Sequence, residues 1–192
     1  VAGGGWYVYS KQLTRQGQVQ LQHLQGSVTV RYDVRGVPHI RAENETDLYR
    51  ALGYVHAQDR LFQMEATRRL ARGELAEVLG PKLIDTDKLF RSLRIRERAA
   101  SYVASLDKQS PAWKGLQAYL DGINQYQDTH AAPIEFDVLG IPKRPFTAED
   151  SISVAGYMAY LNRFQIRPEE RALETLFGDE YRAYARAVRR WI

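Results

Sequence analysis

Between Asn44 and Gly73, the residues Leu48, Ala51, Leu52, Val55, Phe62 and Leu70 recur near steps of three, four and seven. That is the period of an α-helix with one face turned to a core. Asn44 has the side chain for an N-cap, with Asp47 three residues on as its capping-box partner. A helix from there to Gly73 spans roughly 40 Å at 1.5 Å per residue. An element of that length is a spine, and the rest of the chain has to pack along it.

The remaining sequence suffices for one domain around that spine. The chain has 192 residues, 44% of them hydrophobic, which suits a single core. Its formal charge is +4, with Lys, Arg, Asp and Glu interspersed, so the charge pattern calls for no nucleic acid. There is no cysteine, which removes zinc–thiolate sites, a thiol nucleophile and disulfides together and leaves the compartment open. Residues 1–26 read as a lead-in. Val1 to Tyr9 is too short to span a bilayer and fits either the tail of an upstream signal or anchor segment or a frayed terminus. Residues 27–192 read as a single domain.

On either side of the spine the local signals can be taken in order. Val19, Leu21 and Leu24 suggest a short extended piece, and Val28, Val30 and Tyr32 alternate with polar residues as a half-buried strand does. Arg35 to Pro38 is a turn, and His39 to Ala42 reads as the return strand. After Gly80-Pro81, Asp85 or Asp87 can cap a helix through Leu89, Leu93 and Ala100. Ser110-Pro111 opens another, marked by Leu116, Tyr119, Leu120, Ile123 and Tyr126 and ending near His130. Ala131 to Pro145 reads as an irregular loop. Thr147 and Asp150 have capping-box spacing before an apolar helix from Ile152 to Phe164. Pro168 restarts helix as far as Gly178, and Asp179 opens a final one. The expected class is mostly α with a small N-terminal β unit.

A self-sufficient active site is not legible. His56 and Asp59 are three apart on the spine, close enough for an acid–base pair, but a structural hydrogen-bond cluster with Gln58 and Arg60 explains them as well. Asp59 and Arg60 are expected to be a buried charged pair. His23, His39, His56 and His130 have no metal-ligand spacing, and phosphate-loop or dinucleotide glycine patterns are absent. None of the serines stands in a nucleophile-elbow sequence. A catalytic serine also needs a base within reach and an oxyanion hole, which the local sequence does not supply.

A resemblance accounts for that gap. Gly53-Tyr54, Ala57-Gln58-Asp59-Arg60, Gln63-Met64-Glu65, Arg68-Arg69, Gly73 and Glu77-Val78-Leu79-Gly80 resemble the signature of the penicillin acylase family near the start of its alpha subunit. Gly36-Val37-Pro38-His39-Ile40, Gly122-Ile123-Asn124, Pro133-Ile134-Glu135-Phe136 and Pro145-Phe146-Thr147 extend the likeness, from about residue 28 to about residue 164. The resemblance implies the alpha-subunit part of an α+β four-layer (αββα) N-terminal-nucleophile hydrolase, made as a self-cleaving precursor and completed by a beta subunit. The nucleophile would be the first residue of that beta chain, usually serine. Val1 has no hydroxyl and cannot take that place. The implied reaction is cleavage of the amide joining an acyl chain to an amine, in an N-acyl-homoserine lactone or a β-lactam side chain. The implied location is the periplasm. No cofactor is implied for catalysis.

What this chain would add by resemblance is pocket. The family's Met-Ala and Asn-Arg-Phe pieces, whose Met and Phe line the acyl pocket, match Met158-Ala159 and Asn162-Arg163-Phe164. Tyr160 and Leu161 stand between them as an insertion that shifts the helical phase. The bland reading makes Met158 and Phe164 ordinary core residues of an apolar helix. A glutamate six residues after the phenylalanine ligates a structural calcium in some members, and Glu170 has that spacing; a solvated first-turn glutamate at a helix dipole fits it equally. The tail also resembles the carboxyl end of isoprenylcysteine methyltransferases, through Ile166 to Glu170, Leu176 to Tyr181 and Val188 to Ile192. Those enzymes need membrane helices and a cofactor-binding segment that this sequence does not carry. Arg182, Arg186, Arg189 and Arg190 suit a basic membrane-surface face or a solvated helix end. The alternative from another class is a non-catalytic helical binding module, or a truncated or fused relic of the family.

Overall fold

Two glycines decide how the spine meets its main partner. A Cβ on Gly53 would lie 1.9 Å from the carbonyl oxygen of Tyr119, and one on Gly122 would lie 1.9 Å from that of Arg50. Only bare backbone fits at either point, so two long helices cross almost backbone to backbone. The computed structural model describes residues 16–188. In it, β1 (Thr29–Tyr32) and β2 (Pro38–Arg41) precede α1 (Glu45–Arg72), the spine. Then come α2 (Ala76–Leu79), a 3-10 turn at Pro81–Leu83, α3 (Ile84–Ser92), α4 (Ile95–Ser105) and α5 (Pro111–Thr129), the partner that crosses the spine. The chain closes with α6 (Ile134–Leu139), α7 (Ala148–Leu161), a π-helical segment Asn162–Ile166, α8 (Arg167–Phe177) and α9 (Asp179–Ala187).

The two strands form an antiparallel pair with Val30 opposite Ile40 and Arg31 opposite His39. At the start of α1, Asn44 Oδ1 accepts from Asp47 N at 2.8 Å, and Asn44 Nδ2 donates to Asp47 Oδ2 at 2.7 Å. Asp47 is fully buried and also accepts from the backbone N–H groups of Gln25 and Gly26. The expected extended piece at Val19 to Leu24 is irregular backbone with a turn at Gln22 and His23, not strand. It needs no ladder, because helix side chains take its backbone groups: Gln22 N donates to Gln125 Oε1 at 2.7 Å, and Arg50 Nη1 donates to the His23 carbonyl at 2.8 Å.

The spine is not a straight rod. Arg60 leaves the helical region at φ −146°, ψ 35°, and divides it. Gly73 ends it at φ 66°, where a Cβ would meet the Asp87 carbonyl oxygen at 2.5 Å, so both conformation and space demand glycine. The core joins Tyr54, Ala57 and Leu61 of α1 to Leu120, Ile123 and Tyr126 of α5, closed by Phe136, Ile141, Phe146 and Ala148. Phe136 comes from α6, which lies where a loop was expected. Instead of one helix through Leu89, Leu93 and Ala100 there are two, broken at Arg94, whose φ is +52°. Asp87 does not cap its own helix. Its carboxylate accepts from Leu75 N at 2.9 Å and Ala76 N at 2.8 Å, capping α2. The lead-in Val1 to Tyr9 and the pair Arg189 and Arg190 lie outside the described residues. No helix among the described residues is long and apolar enough to cross a membrane.

Candidate functional site

Helix α7 starts from a complete capping box. Thr147 Oγ1 accepts from Asp150 N at 3.3 Å, and Asp150 Oδ2 accepts from Thr147 N at 3.0 Å. Its inner face rests on α3 and α4. The Phe90 ring meets Tyr157 at 5.4 Å and Tyr160 at 6.0 Å, both edge-on, and a Cβ on Gly156 would lie 3.1 Å from Ile95 Cγ2. Burial raises the Tyr157 phenol above its ordinary value, so it stays protonated. Tyr157 and Tyr160 are thereby turned to the body of the fold.

Met158 and Phe164 are not core residues. Met158 is 36% exposed and Phe164 63% exposed. Phe164 touches the Tyr160 ring at 5.1 Å and has the Arg163 guanidinium 5.5 Å from its centroid. From Asn162 to Ile166 the helix widens to π geometry, a feature often found at functional sites. Beyond it, α8 and α9 contain no buried residue, with Leu176 76% and Phe177 54% exposed.

Glu170 lines an open cleft between α8 and α9 with Arg163, Arg167, Arg171 and Tyr181. Calcium takes six to eight oxygen ligands. No group of three or more His, Asp or Glu among the described residues could hold a metal, and the cleft sets three arginines beside Glu170 and Glu174. The described residues alone do not make a calcium site.

His56 Nδ1 lies 3.1 Å from the Tyr119 hydroxyl, with the two rings edge to face. Burial and then the Arg60 charge lower the His56 pKa, against a smaller opposite pull from Asp59, so the imidazole is neutral near pH 7. Burial raises that of Tyr119. This is a satisfied structural pair. Asp59 and Arg60 correct the expected burial: their side chains are 38% and 60% exposed, 3.0 Å apart. At the end of α5, Thr129 Oγ1 lies 2.9 Å from His130 Nδ1, but it also sits 2.6 Å from the Gln125 carbonyl, to which it donates. The His130 ring stacks on Tyr126 at 4.4 Å. Burial, with Tyr126 and Tyr32 nearby, pushes the Tyr54 phenol beside it up to about 12. His56 and His130 therefore serve packing.

The buried charges lie elsewhere. Glu65 is fully buried between Arg68 and Arg69, and Asp150 is 3% exposed. Arg72 ties Asp150 to Glu74, and Arg144 reaches Glu74 at 3.2 Å. This network holds the second half of the spine to the start of α7. The Glu65, Arg68, Arg69 spacing was visible as i, i+3, i+4; that it is interior was not.

The sequence profile of the family described as penicillin amidase matches residues 27–187. Over 139 residues the chain is 41% identical to penicillin acylase 2 proenzyme of Pseudomonas sp. (strain SE83), covering 72% of this chain and 18% of that protein. Over 159 residues it is 36% identical to penicillin G acylase of Escherichia coli, covering 78% and 18%. Over 160 residues it is 32% identical to acyl-homoserine lactone acylase QuiP of Pseudomonas putida, covering 82% and 19%. The chain thus spans under a fifth of the length of these curated relatives. Among solved structures, a chain of the thermostable penicillin G acylase from Alcaligenes faecalis superimposes with a TM-score of 0.63 at 30% identity, over 82% of this chain and 88% of that one. The profile runs through α8 and α9 to residue 187, so the Ile166 to Glu170 and Leu176 to Tyr181 pieces of the methyltransferase likeness lie inside the match and Val188 to Ile192 outside it. With a profile match of that extent and relatives above 30% identity over most of its length, the chain belongs to the penicillin amidase family, as its alpha-subunit-like region.

Proposed function

We propose that this chain is the alpha subunit of a two-chain acylase and supplies acyl pocket, while the nucleophile is the N-terminal serine of a beta chain cut from the same precursor. The observation that carries this is the exposure of Phe164 on a helical rod that runs out of the core. A phenyl ring 63% exposed, followed by exposed Leu176 and Phe177, is placed to be covered by something larger than this chain. Met158, six residues before Phe164 on the same rod, is the second wall. In the reaction, the partner serine Oγ attacks the amide carbonyl while its own α-amino group, which titrates near 7.7–8.0 in ordinary peptides, takes the hydroxyl proton. That proton passes to the leaving amine, and water then releases the acid from the acyl-enzyme. The substrate class is a small acylated amine. A thioether and a phenyl wall suit an aliphatic acyl chain, which favours an N-acyl-homoserine lactone over a β-lactam side chain. A calcium ion at Glu170 would draw its other oxygens from the beta chain. The periplasm is the proposed location.

The test is to produce this chain with and without the segment encoded directly downstream. The assembled protein should hydrolyse acyl-homoserine lactones or penicillins, and this chain alone should hydrolyse neither. Turnover by this chain free of any second polypeptide would overturn the two-chain reading. An assembled protein that cleaves no acylated amine would leave a non-catalytic helical module.

A further inference from the structure

Arg72, the last residue of α1, joins two carboxylates from different parts of the fold. Its Nε donates to Glu74 Oε1 at 3.0 Å and its Nη1 to Asp150 Oδ1 at 2.8 Å. Asp150 is buried in the first turn of α7, where its other oxygen accepts from Thr147 N and Thr147 Oγ1. The carboxylate is therefore fixed to the helix that it starts. Arg68 adds a longer contact to it, at 3.5 Å. Further along α7 the supports are the close approach of Gly156 to Ile95 and the Tyr157 and Tyr160 rings against Phe90. After Ser153 nothing in α7, the π segment or α8 is buried. Phe164 thus stands at the end of an arm whose base Arg72 holds and whose middle rests on α3 and α4. From Asp150 that arm is about 20 Å long, so a tilt of about 5° at the base moves Phe164 by about 2 Å. A planar guanidinium can hold two carboxylates in fixed directions at once, which a lysine ammonium on a flexible stem cannot.

We propose that Arg72 is a positioning residue for acyl selection: it sets the angle of α7 and, through that arm, the acyl length the enzyme prefers. The acyl part rests on the acylase reading above.

This chain has no cysteine, so a cysteine pair placed in it takes spin labels at two defined sites once any cysteine of the other chains is replaced by serine. Gln63→Cys on α1 and Ala155→Cys on α7 are at exposed positions, and the distance between their labels reports the angle of the two helices without any turnover. In the native protein with all its chains, Arg72→Met and Arg72→Lys should shift or broaden that distance. Both should also change the ratio of kcat/KM between a hexanoyl and a dodecanoyl amine by about tenfold, since a misplacement near 1 Å is enough for such effects. Ser110→Ala, which removes the cap of α5 away from this junction, should lower Tm and alter neither quantity. An Arg72→Met protein with unchanged distance and unchanged ratio overturns the proposal. If that variant does not assemble, Arg72→Lys decides by the same two readings. A moved helix with an unchanged ratio overturns the role in acyl selection. If the native protein cleaves no acylated amine, the acylase reading fails separately, and the label distance still decides whether Arg72 sets the angle of α7.

Discussion

Glu65 is enclosed by two guanidiniums of its own helix, Arg68 three residues on and Arg69 four residues on, the latter at 2.7 Å. Replacing it by alanine leaves both cations buried without it, and Glu65→Ala should lose about 3–5 kcal/mol of stability by urea denaturation. Asp59→Ala or Arg60→Ala should lose less than about 1 kcal/mol, because that pair is largely in solvent. The acid limb of stability has a residue-level origin too. Burial works to raise the Asp47 carboxyl, but hydrogen bonds from Asn44, Gln25 and Gly26 and the Arg50 charge outweigh it and hold it below its ordinary 3.8. Burial likewise opposes, and Arg72 and Arg144 outweigh, at Glu74, which is held below 4.5. A carboxylate depressed on folding contributes stability above its unfolded pKa and loses it as pH falls through the folded one. The Tm of the protein should therefore drop as pH falls below about 4.5, and Asp47→Asn with Glu74→Gln should be less stable at pH 7 yet show a shallower drop. A steeper drop in the double variant would contradict this assignment. At this scale residue types and spacings were legible, and burial was not. Charged residues usually lie in solvent, so Glu65 with Arg68 and Arg69 looked no different from Asp59 with Arg60.

At the scale of elements, the crossing of α1 and α5 makes a sharp test. Gly→Ala inside a helix ordinarily stabilises by up to about 1 kcal/mol. Here the new methyl would lie 1.9 Å from a backbone carbonyl oxygen, and Gly53→Ala should instead cost about 3 kcal/mol or more as the helices are forced apart. An unchanged or raised Tm would mean that the crossing is not as close as described. The helix starts at Asn44, Ser110 and Thr147 were legible because a cap is a contact over three residues. The breaks at Arg60 and Arg94 were not, because each follows from what the flanking turns pack against. The same holds for Asp87, which reads as a cap for its own helix and serves α2 across a turn. Helix α6 hid among prolines, being too short to show a period.

At the scale of the whole molecule, one end of the chain is packed and the other is not. The core gathers α1, α5 and α6, while α8 and α9 follow the π segment and contain no buried residue. Phe164 stands on the unpacked side. Phe164→Ala should therefore change the stability of this chain by no more than about 0.5 kcal/mol, as surface substitutions do. In the assembled enzyme it should shift kcat/KM toward longer or bulkier acyl groups by about tenfold. A large loss of stability with an unchanged acyl profile would return Phe164 to the core. The family was legible through its glycines, prolines and aromatic positions. If another polypeptide completes the site, as proposed, this sequence would carry only its exposed apolar residues as a trace.

The central claim is that the nucleophile is not on this chain. Treating the native protein with phenylmethylsulfonyl fluoride and measuring the intact mass of each polypeptide tests it directly, since the reagent sulfonylates an activated serine hydroxyl. The account predicts one adduct, on the first residue of a second chain, with this chain unmodified and activity lost in proportion. An adduct on a serine of this chain that tracks the loss of activity would contradict it.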